Sequence, residues 1–134
     1  MGRLGIEPNG FATTYKALLG RPYTGAVNMM THLANSSIPD SALNLQLLKA
    51  FREVEAQLED ESPVTSIPSS SGILSDLPLS CDWARPGIML YGSSPFNYEL
   101  EHLRRDKFDL QAVMTLQARI IAIRDLKQGD NVGY

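Results

Sequence analysis

The 134 residues suffice for about one domain, and 43% hydrophobic and 20% charged residues are typical of a globular, soluble protein. The net charge of −3 and the sequence pI near 5.3 give no electrostatic basis for binding nucleic acid or an anionic membrane surface. No apolar run approaches the roughly 20 residues of a membrane-spanning helix. The start MGRLGIEPNG lacks a signal-peptide pattern. The chain has one cysteine, Cys81, which excludes an internal disulfide. A cytoplasmic location is therefore the expectation.

The first elements of the chain are a predicted helix and a predicted buried strand. A helix is expected over about 9–19, because four apolar residues share one helical face and Gly20 follows as a stop: Phe11, Tyr15, Leu18 and Leu19. The mostly apolar GAVNMMTHLA, 25–34, is typical of a strand that is covered on both faces. The chain thus begins as helix and then strand.

A longer helix and two more strands are predicted next. The helix spans about 41–59, with an apolar stripe at spacings of four, three and four: Leu47, Phe51, Val54 and Leu58. VTSIPSSSGIL, 64–74, indicates a short strand that runs into a serine-rich turn, and GIMLYG, 87–92, indicates another strand. Alternation of helices and strands favours a parallel sheet with crossover helices.

The composition changes after residue 93. Residues 93–109 are polar and charged and are interpreted as a linker. From 114 to 122 apolar and polar residues alternate with the two-residue period of a half-buried strand. DLKQGD predicts a turn, and NVGY would begin another strand. This tail is interpreted as the opening of a separate all-β domain.

The stretch WARPGIMLYG, 83–92, combines an arginine, a proline and a glycine at the start of the apolar run. An arginine is not expected at the start of a strand that only packs in the core. It is expected at a strand end that presents Arg85 and unpaired backbone N–H groups to a ligand. In α/β sheets ligands bind at strand ends. His32, Ser69–Gly72 and Arg85 all follow predicted strand starts and are therefore the candidate ligand-binding positions.

Five ordered pieces of the chain resemble the alanine racemase family, whose members are pyridoxal-phosphate enzymes. The pieces are MGRLGI, MTHLA, SSSGIL, WARPGIMLYG and LQARIIAIRDLKQGDNVGY. The resemblance implies an α/β fold: a partial (β/α)₈ TIM barrel followed by the first strands of an all-β domain. It places the second half of the barrel at 1–95, a linker at 96–109 and the start of the β-domain at 110–134.

The resemblance also implies how pyridoxal 5′-phosphate is held. Arg85 is expected to donate a hydrogen bond to the pyridine nitrogen, which stays unprotonated because an arginine is effectively never deprotonated. The phosphate is expected to bind Ser70 and the backbone at Gly87 and Ile88. Without the family match, Arg85 could equally be a salt-bridged residue at the barrel rim, and SSSG an ordinary polar turn.

Three further residues match catalytic positions of the family. Tyr134 matches the tyrosine base, which in the family reaches the partner subunit's active site in a homodimer. Arg3 matches an arginine that holds the substrate carboxylate, and His32 matches a histidine near the tyrosine and the pyridine-facing arginine. One departure is local: the family commonly has an aspartate shortly after that histidine, where this chain has ANSS, 34–37.

The sequence contains no Lys-Ala-Asn-Ala-Tyr-Gly-His-like motif, which carries the cofactor-bound lysine of the family. The expectation is therefore a fragment of an alanine racemase, inactive alone, from an enzyme that supplies D-alanine for peptidoglycan. Alanine is the expected substrate, and neither a metal, nucleic acid nor a membrane is an expected partner. The alternatives are a non-catalytic module that binds a phosphate-bearing ligand or a racemase subunit, and a related barrel-type pyridoxal-phosphate racemase or decarboxylase.

Overall fold

A computed structural model of the chain describes residues 4–38, 40–97 and 108–133. Three α-helices, two short strands and two 3₁₀ helices occur in this part of the chain. In order they are α1 (Pro8–Leu19), β1 (Met29–Met30), α2 (Ala42–Glu55), a 3₁₀ helix (Ala56–Leu58), β2 (Thr65–Ser66), α3 (Ser70–Ile73) and a second 3₁₀ helix (Ile88–Tyr91). None of the helices in these ranges is long and apolar enough to cross a bilayer.

The two strands are parallel, and α2 is the crossover between them. Met29 pairs with Thr65, and the ladder is closed by the N–H of Met29 to the carbonyl of Val64 at 2.9 Å and the N–H of Thr31 to the carbonyl of Ser66 at 3.0 Å. Ser66 also forms a parallel bridge to Trp83. Because Ser66 pairs with Met30 of β1 and also with Trp83, β2 lies between β1 and the segment at Trp83. The predicted parallel pairing of strands joined by a crossover helix is confirmed for β1, α2 and β2.

The hydrophobic core lies between the two long helices and the strand pair. The predicted stripe of α2 is buried here, with Phe51, Val54 and Leu58 among the core residues and Leu47 packed against them. From α1, Tyr15 is buried and donates its hydroxyl to the carbonyl of Val27 at 2.6 Å. Burial raises the pKa of Tyr15, which keeps the phenol protonated as a donor.

The predicted face of α1 is only partly correct. Phe11 stacks on Tyr15 with 6.2 Å between ring centroids, but Leu18 and Leu19 are 38% and 41% exposed. The core includes residues of the first two turns of α1, and Leu18 and Leu19 of its last turn are not part of it.

The first strand is shorter than the one predicted at 25–34, and the short strand predicted at the start of 64–74 is the two-residue β2. Pro68 lies two residues after Ser66, at the next position that would donate to β1, and has no N–H to extend the ladder, so the pairing ends after Ser66. Downstream, Ser70–Ile73 form the short helix α3 where a serine-rich turn was predicted. A buried apolar run therefore indicated a real strand position but overestimated its length.

The run GIMLYG is a 3₁₀ helix, and its prediction as a strand is wrong. The N–H of Leu90 bonds the carbonyl of Gly87 at 2.9 Å, and the N–H of Gly92 bonds that of Met89 at 3.0 Å. Gly92 ends the helix with φ of +79°, which a glycine adopts without strain. Periodicity alone does not distinguish a short apolar run in a strand from one in a helix, and here the local bonds decide.

The predicted strands of the tail are absent from the described residues 108–133, which contain neither helix nor strand. The turn at DLKQGD is confirmed: the N–H of Asp130 bonds the carbonyl of Lys127 at 3.0 Å, and the Asp130 carboxylate accepts the N–H of Lys127 at 2.8 Å. The apolar side chains of the alternating run are exposed, Leu116 by 98% and Ile121 by 96%. No other described residue pairs with this run, and a strand requires such a partner.

Candidate functional site

The predicted cofactor-binding residues meet at one open cleft. It has a volume of about 390 Å³, within the range of roughly 300–1,000 Å³ of small-molecule sites. We call it the serine–arginine cleft, and it is lined by Ser69, Ser70, Ser71, Arg85, Gly87, Ile88, Ser94 and Pro95. Ser70, Arg85, Gly87 and Ile88, which are 15 to 18 residues apart across the two segments, are thus neighbours in space.

Arg85 is held in place by the carboxyl ends of both strands. Its Nη2 donates to the carbonyl of Thr31 at 2.7 Å and to that of Ile67 at 3.2 Å, and its Nη1 donates to the hydroxyl of Ser66. Its backbone N–H bonds the carbonyl of Pro68 at 2.9 Å. These contacts orient the guanidinium at the strand ends, where the sequence predicted a ligand-facing arginine.

No carboxylate neutralises the positive charge of Arg85 within the described ranges, where ion pairs are formed by Lys16, Lys49 and Arg52. The salt-bridged rim arginine considered from sequence is therefore not what the described residues show. A guanidinium has five N–H donors, and the contacts of Arg85 use three of them. The remaining N–H groups and the charge are available for an acceptor in the cleft.

The segment before Arg85 is anchored to β2 by Asp82. Its carboxylate accepts the backbone N–H of Thr65 at 2.7 Å and the Thr65 hydroxyl at 3.1 Å. These hydrogen bonds, the backbone one first, hold the pKa of Asp82 below its usual value. The N–H groups of Asp82 and Trp83 both bond the carbonyl of Thr65, at 3.1 and 3.0 Å. The chain therefore reaches Arg85 in a fixed register against β2.

Ser70 joins the two sides of the cleft. Its buried hydroxyl oxygen accepts the N–H of Gly87 at 2.8 Å and the N–H of Met89 at 3.3 Å. With both lone pairs engaged, the hydroxyl hydrogen of Ser70 is the part left to donate. This hydrogen has no acceptor among the described residues, so an anion bound in the cleft could accept it.

The two backbone positions predicted for a phosphate differ in their present contacts. The N–H of Gly87 is already donated to Ser70, so a ligand oxygen there must share it or replace the serine oxygen. The N–H of Ile88 has no acceptor within the described residues. A Cβ on Gly87 would lie 3.7 Å from Oγ of Ser70, so glycine keeps the approach to this hydroxyl open.

Of the three residues predicted to be catalytic, the structure describes His32, which lies outside the lining of the cleft. His32 is exposed, does not line the cleft, and makes no side-chain hydrogen bond to another described residue. It does follow Thr31, whose carbonyl holds Arg85. Arg3 and Tyr134 lie outside the described residues, so their predicted roles remain predictions.

Sequence reasoning missed several contributors to the site. The carbonyl of Thr31 carries no side-chain signal, and no pattern in the sequence could have identified it. Ser66 was discoverable, because it is a polar residue at the end of a predicted strand, two positions before Pro68. Ser71 belongs to the candidate ligand-binding stretch Ser69–Gly72, but no specific role was predicted for this residue, which is buried and lines the cleft.

The sequence profile of the family "Alanine racemase, N-terminal domain" matches residues 1–95. An alanine racemase of Xanthomonas oryzae is 38% identical over the whole chain, which covers 35% of that protein, and a catabolic alanine racemase of Pseudomonas putida is 35% identical, with 36% covered. The crystal structure of the biosynthetic alanine racemase from Pseudomonas aeruginosa superposes on 100% of this chain and 36% of its own, with a TM-score of 0.76 and 30% identity.

The chain spans about a third of the length of the curated relatives that it matches. The profile covers well over half of the chain, and the α/β order of its described part is that of the barrel domain of these enzymes. The chain belongs to the alanine racemase family.

Proposed function

We propose that this chain supplies part of the cofactor and substrate site of a pyridoxal-phosphate-dependent alanine racemase, which interconverts L- and D-alanine. One observation carries the proposal: Ser70, Arg85, Gly87 and Ile88 line a single cleft in a chain of this family. The finer features of the proposal are alanine as substrate, a homodimer, a cytoplasmic location and D-alanine supply for peptidoglycan.

The phosphate of the cofactor fits the serine side of the cleft. The free hydroxyl hydrogen of Ser70 and the unpaired N–H of Ile88 are two donors for phosphate oxygens, and Gly87 leaves room beside them. Hydrogen bonds from neutral donors to an anion are stronger than those between neutral groups. The donors that the cleft leaves unused are therefore of the kind that a phosphate requires.

The pyridine ring of the cofactor fits the arginine side of the cleft. Bound pyridoxal phosphate acidifies the Cα proton of an amino acid by delocalising the negative charge left behind. Arg85 remains charged at any physiological pH, so it donates to the pyridine nitrogen and leaves that nitrogen without a proton. A less electron-withdrawing ring favours simple racemisation over side reactions such as transamination.

Racemisation needs one base on each face of Cα. Tyr134 is proposed for one face, and Arg3 and His32 are proposed to lower its pKa and to orient the substrate carboxylate. The other base in the family is the cofactor-bound lysine. None of the three lysines in the described residues, Lys16, Lys49 and Lys127, lines the cleft, and the first two pair with Glu61 and Glu53. We therefore expect these 134 residues alone not to racemise alanine.

Cofactor binding is tested directly on the chain. Backbone NMR with added pyridoxal 5′-phosphate should shift the amide signals of Gly87 and Ile88. Arg85→Glu should weaken binding by about tenfold or more, because it replaces a cation with an anion and removes charge-assisted hydrogen bonds. Arg85→Lys should be milder, since the charge survives while the planar fork is lost. Arg124→Glu is the matched control: the same charge change on an exposed tail residue should leave binding unchanged.

Racemase activity is tested in a chimaera in which residues 1–134 replace the matching segment of the Pseudomonas aeruginosa enzyme. The chimaera should racemise alanine and restore growth of a D-alanine auxotroph, and Tyr134→Phe should abolish both. Transamination should become more frequent relative to racemisation with Arg85→Glu. A chimaera that binds the cofactor and folds but never racemises would instead favour the non-catalytic binding module.

A further inference from the structure

Ser36 contacts the serine–arginine cleft from behind. It is 2% exposed, and its Oγ lies 2.6 Å from Oγ of Ser71, which is 8% exposed and lines the cleft. The two residues are 35 positions apart, so the contact joins the turn after β1 to α3. Ser36 itself does not line the cleft. It lies in ANSS, the stretch where the chain departs from the family pattern.

The turn that carries Ser36 is fixed by α2. Asn44 is fully buried, and its Nδ2 donates to the carbonyl of Asn35 at 3.2 Å and to that of Ile38 at 3.0 Å. These bonds hold the backbone on both sides of Ser36. The hydroxyl of Ser36 is therefore a stationary partner for Ser71.

The 2.6 Å contact between Ser36 and Ser71 uses one hydrogen, and either hydroxyl can supply it. The hydroxyl of Ser36 also lies 3.2 Å from the carbonyl of Leu33, and that of Ser71 lies 3.4 Å from the hydroxyl of Ser69. In either direction the contact engages Ser71 behind the cleft, whereas the hydroxyl hydrogen of Ser70 has no acceptor among the described residues.

We propose that Ser36 is a positioning residue for the phosphate side of the cleft. Through its hydrogen bond with Ser71 it sets the rotation of the Ser69–Ser71 segment, so that Ser70 stays within reach of the N–H groups of Gly87 and Met89 and donates its hydrogen to the ligand. Without the hydroxyl of Ser36, Ser71 loses this buried hydrogen-bond partner, and the segment that carries Ser70 is no longer held from behind. The inference rests on the proposed cofactor site.

The test compares pyridoxal 5′-phosphate with pyridoxal, which lacks the phosphate, as probes titrated into the chain. Ser36→Ala should weaken binding of pyridoxal 5′-phosphate by about 3- to 10-fold, the effect of one hydrogen bond, and leave binding of pyridoxal unchanged. Ser36→Thr, which keeps the hydroxyl, should restore most of the affinity. Ser37→Ala is the control, because Ser37 is the adjacent serine and takes no part in these bonds. Circular dichroism melting of each variant establishes that it is folded.

The outcomes separate the two proposals. If the unaltered chain binds neither probe and shows no shift at Gly87 with inorganic phosphate, the proposed cofactor site is wrong and the role of Ser36 is overturned with it. If the unaltered chain binds pyridoxal 5′-phosphate and Ser36→Ala binds it equally or more tightly, only the role of Ser36 is overturned. Equal weakening of both probes would show a general structural role and would also overturn it.

Discussion

The body of the chain, 4–97, and its tail, 108–133, use large apolar residues in different ways. In the body Leu58 is 0% exposed, whereas in the tail Leu116 is 98% exposed. Both residues belong to regular apolar patterns that predicted secondary structure, but only the helical pattern found a surface of the same chain to pack against. The difference shows that an amphipathic pattern predicts which face of an element is apolar. That face becomes buried only where another segment packs against it.

Strands depend on a neighbouring segment more than helices do. A helix satisfies its backbone hydrogen bonds within itself, so α1 and α2 form over nearly the predicted ranges. A strand needs a second strand, and β1 extends only as far as β2 offers carbonyl and N–H groups. The tail has no such neighbour among the described residues and forms no strand.

The largest expected difference between the regions comes from one substitution made in both. Leu58→Ala should lower the free energy of unfolding by about 2–5 kcal/mol, because it opens a cavity in the core. Leu116→Ala should change it by less than about 0.5 kcal/mol, since the side chain is already in water. Urea unfolding followed by circular dichroism measures both. A comparable loss in the two variants would mean that the tail packs against the body.

The glycines with positive φ provide a second comparison. At Gly92 a Cβ would lie 2.0 Å from the carbonyl oxygen of Gln111, whereas at Gly129 it would meet nothing within 4 Å. Gly92→Ala should cost about 1–2 kcal/mol for the left-handed conformation and should also displace Gln111. Gly129→Ala strains only an exposed turn, so it should have little effect on global unfolding. Thermal melting and the amide signals of Gln111 and Ala112 measure the two effects, and equal melting temperatures would contradict the comparison.

A smaller effect is expected on self-association. The described strand edges and the exposed apolar tail should make the chain associate, because unpaired edges are templates for pairing with another chain. Leu116→Lys combined with Ile121→Lys should lower association severalfold, measured by analytical ultracentrifugation. Tyr23→Lys, at a fully exposed position of the body, is the control and should have a weaker effect. A tail variant that associates as strongly as the unaltered chain would place the contact elsewhere.

The smallest expected effect concerns pH and the anchor of Arg85. The pKa of Asp82 is lowered in the folded chain, first by the backbone N–H of Thr65. Its stabilising contribution is therefore present above the ordinary aspartate pKa of 3.8 and is lost as the pH falls through the lower folded value. Asp82→Asn should thus differ from the unaltered chain most at neutral pH and least in acid.

Urea midpoints at a series of pH values measure this difference. Asp40→Asn removes an exposed carboxylate that is not part of the anchor, and its difference from the unaltered chain should be the smaller of the two at neutral pH. A difference for Asp82→Asn that grows as the pH falls would contradict the anchoring role.

The sequence by itself determined the two long helices, the order of helix, strand, helix and strand, and the position of Arg85 at the strand ends. Apolar residues at helical spacing require a buried face wherever they occur, so Phe51, Val54 and Leu58 could be assigned to the core without coordinates. The grouping of Ser70, Arg85, Gly87 and Ile88 was expected from the family resemblance, and the structure brings them to one cleft.

Only the tertiary structure decided which apolar runs became strands and how the cleft is supported. GIMLYG forms a 3₁₀ helix closed by its own local hydrogen bonds, and Ser70, 17 residues before Gly87, joins this helix to α3 by accepting the N–H groups of Gly87 and Met89. The carbonyl of Thr31 and the hydroxyl of Ser36 support the cleft through contacts that residue type does not reveal. Contacts between segments that are distant in sequence depend on how the chain folds in three dimensions. The periodicity of apolar residues along the sequence contains no information about these contacts.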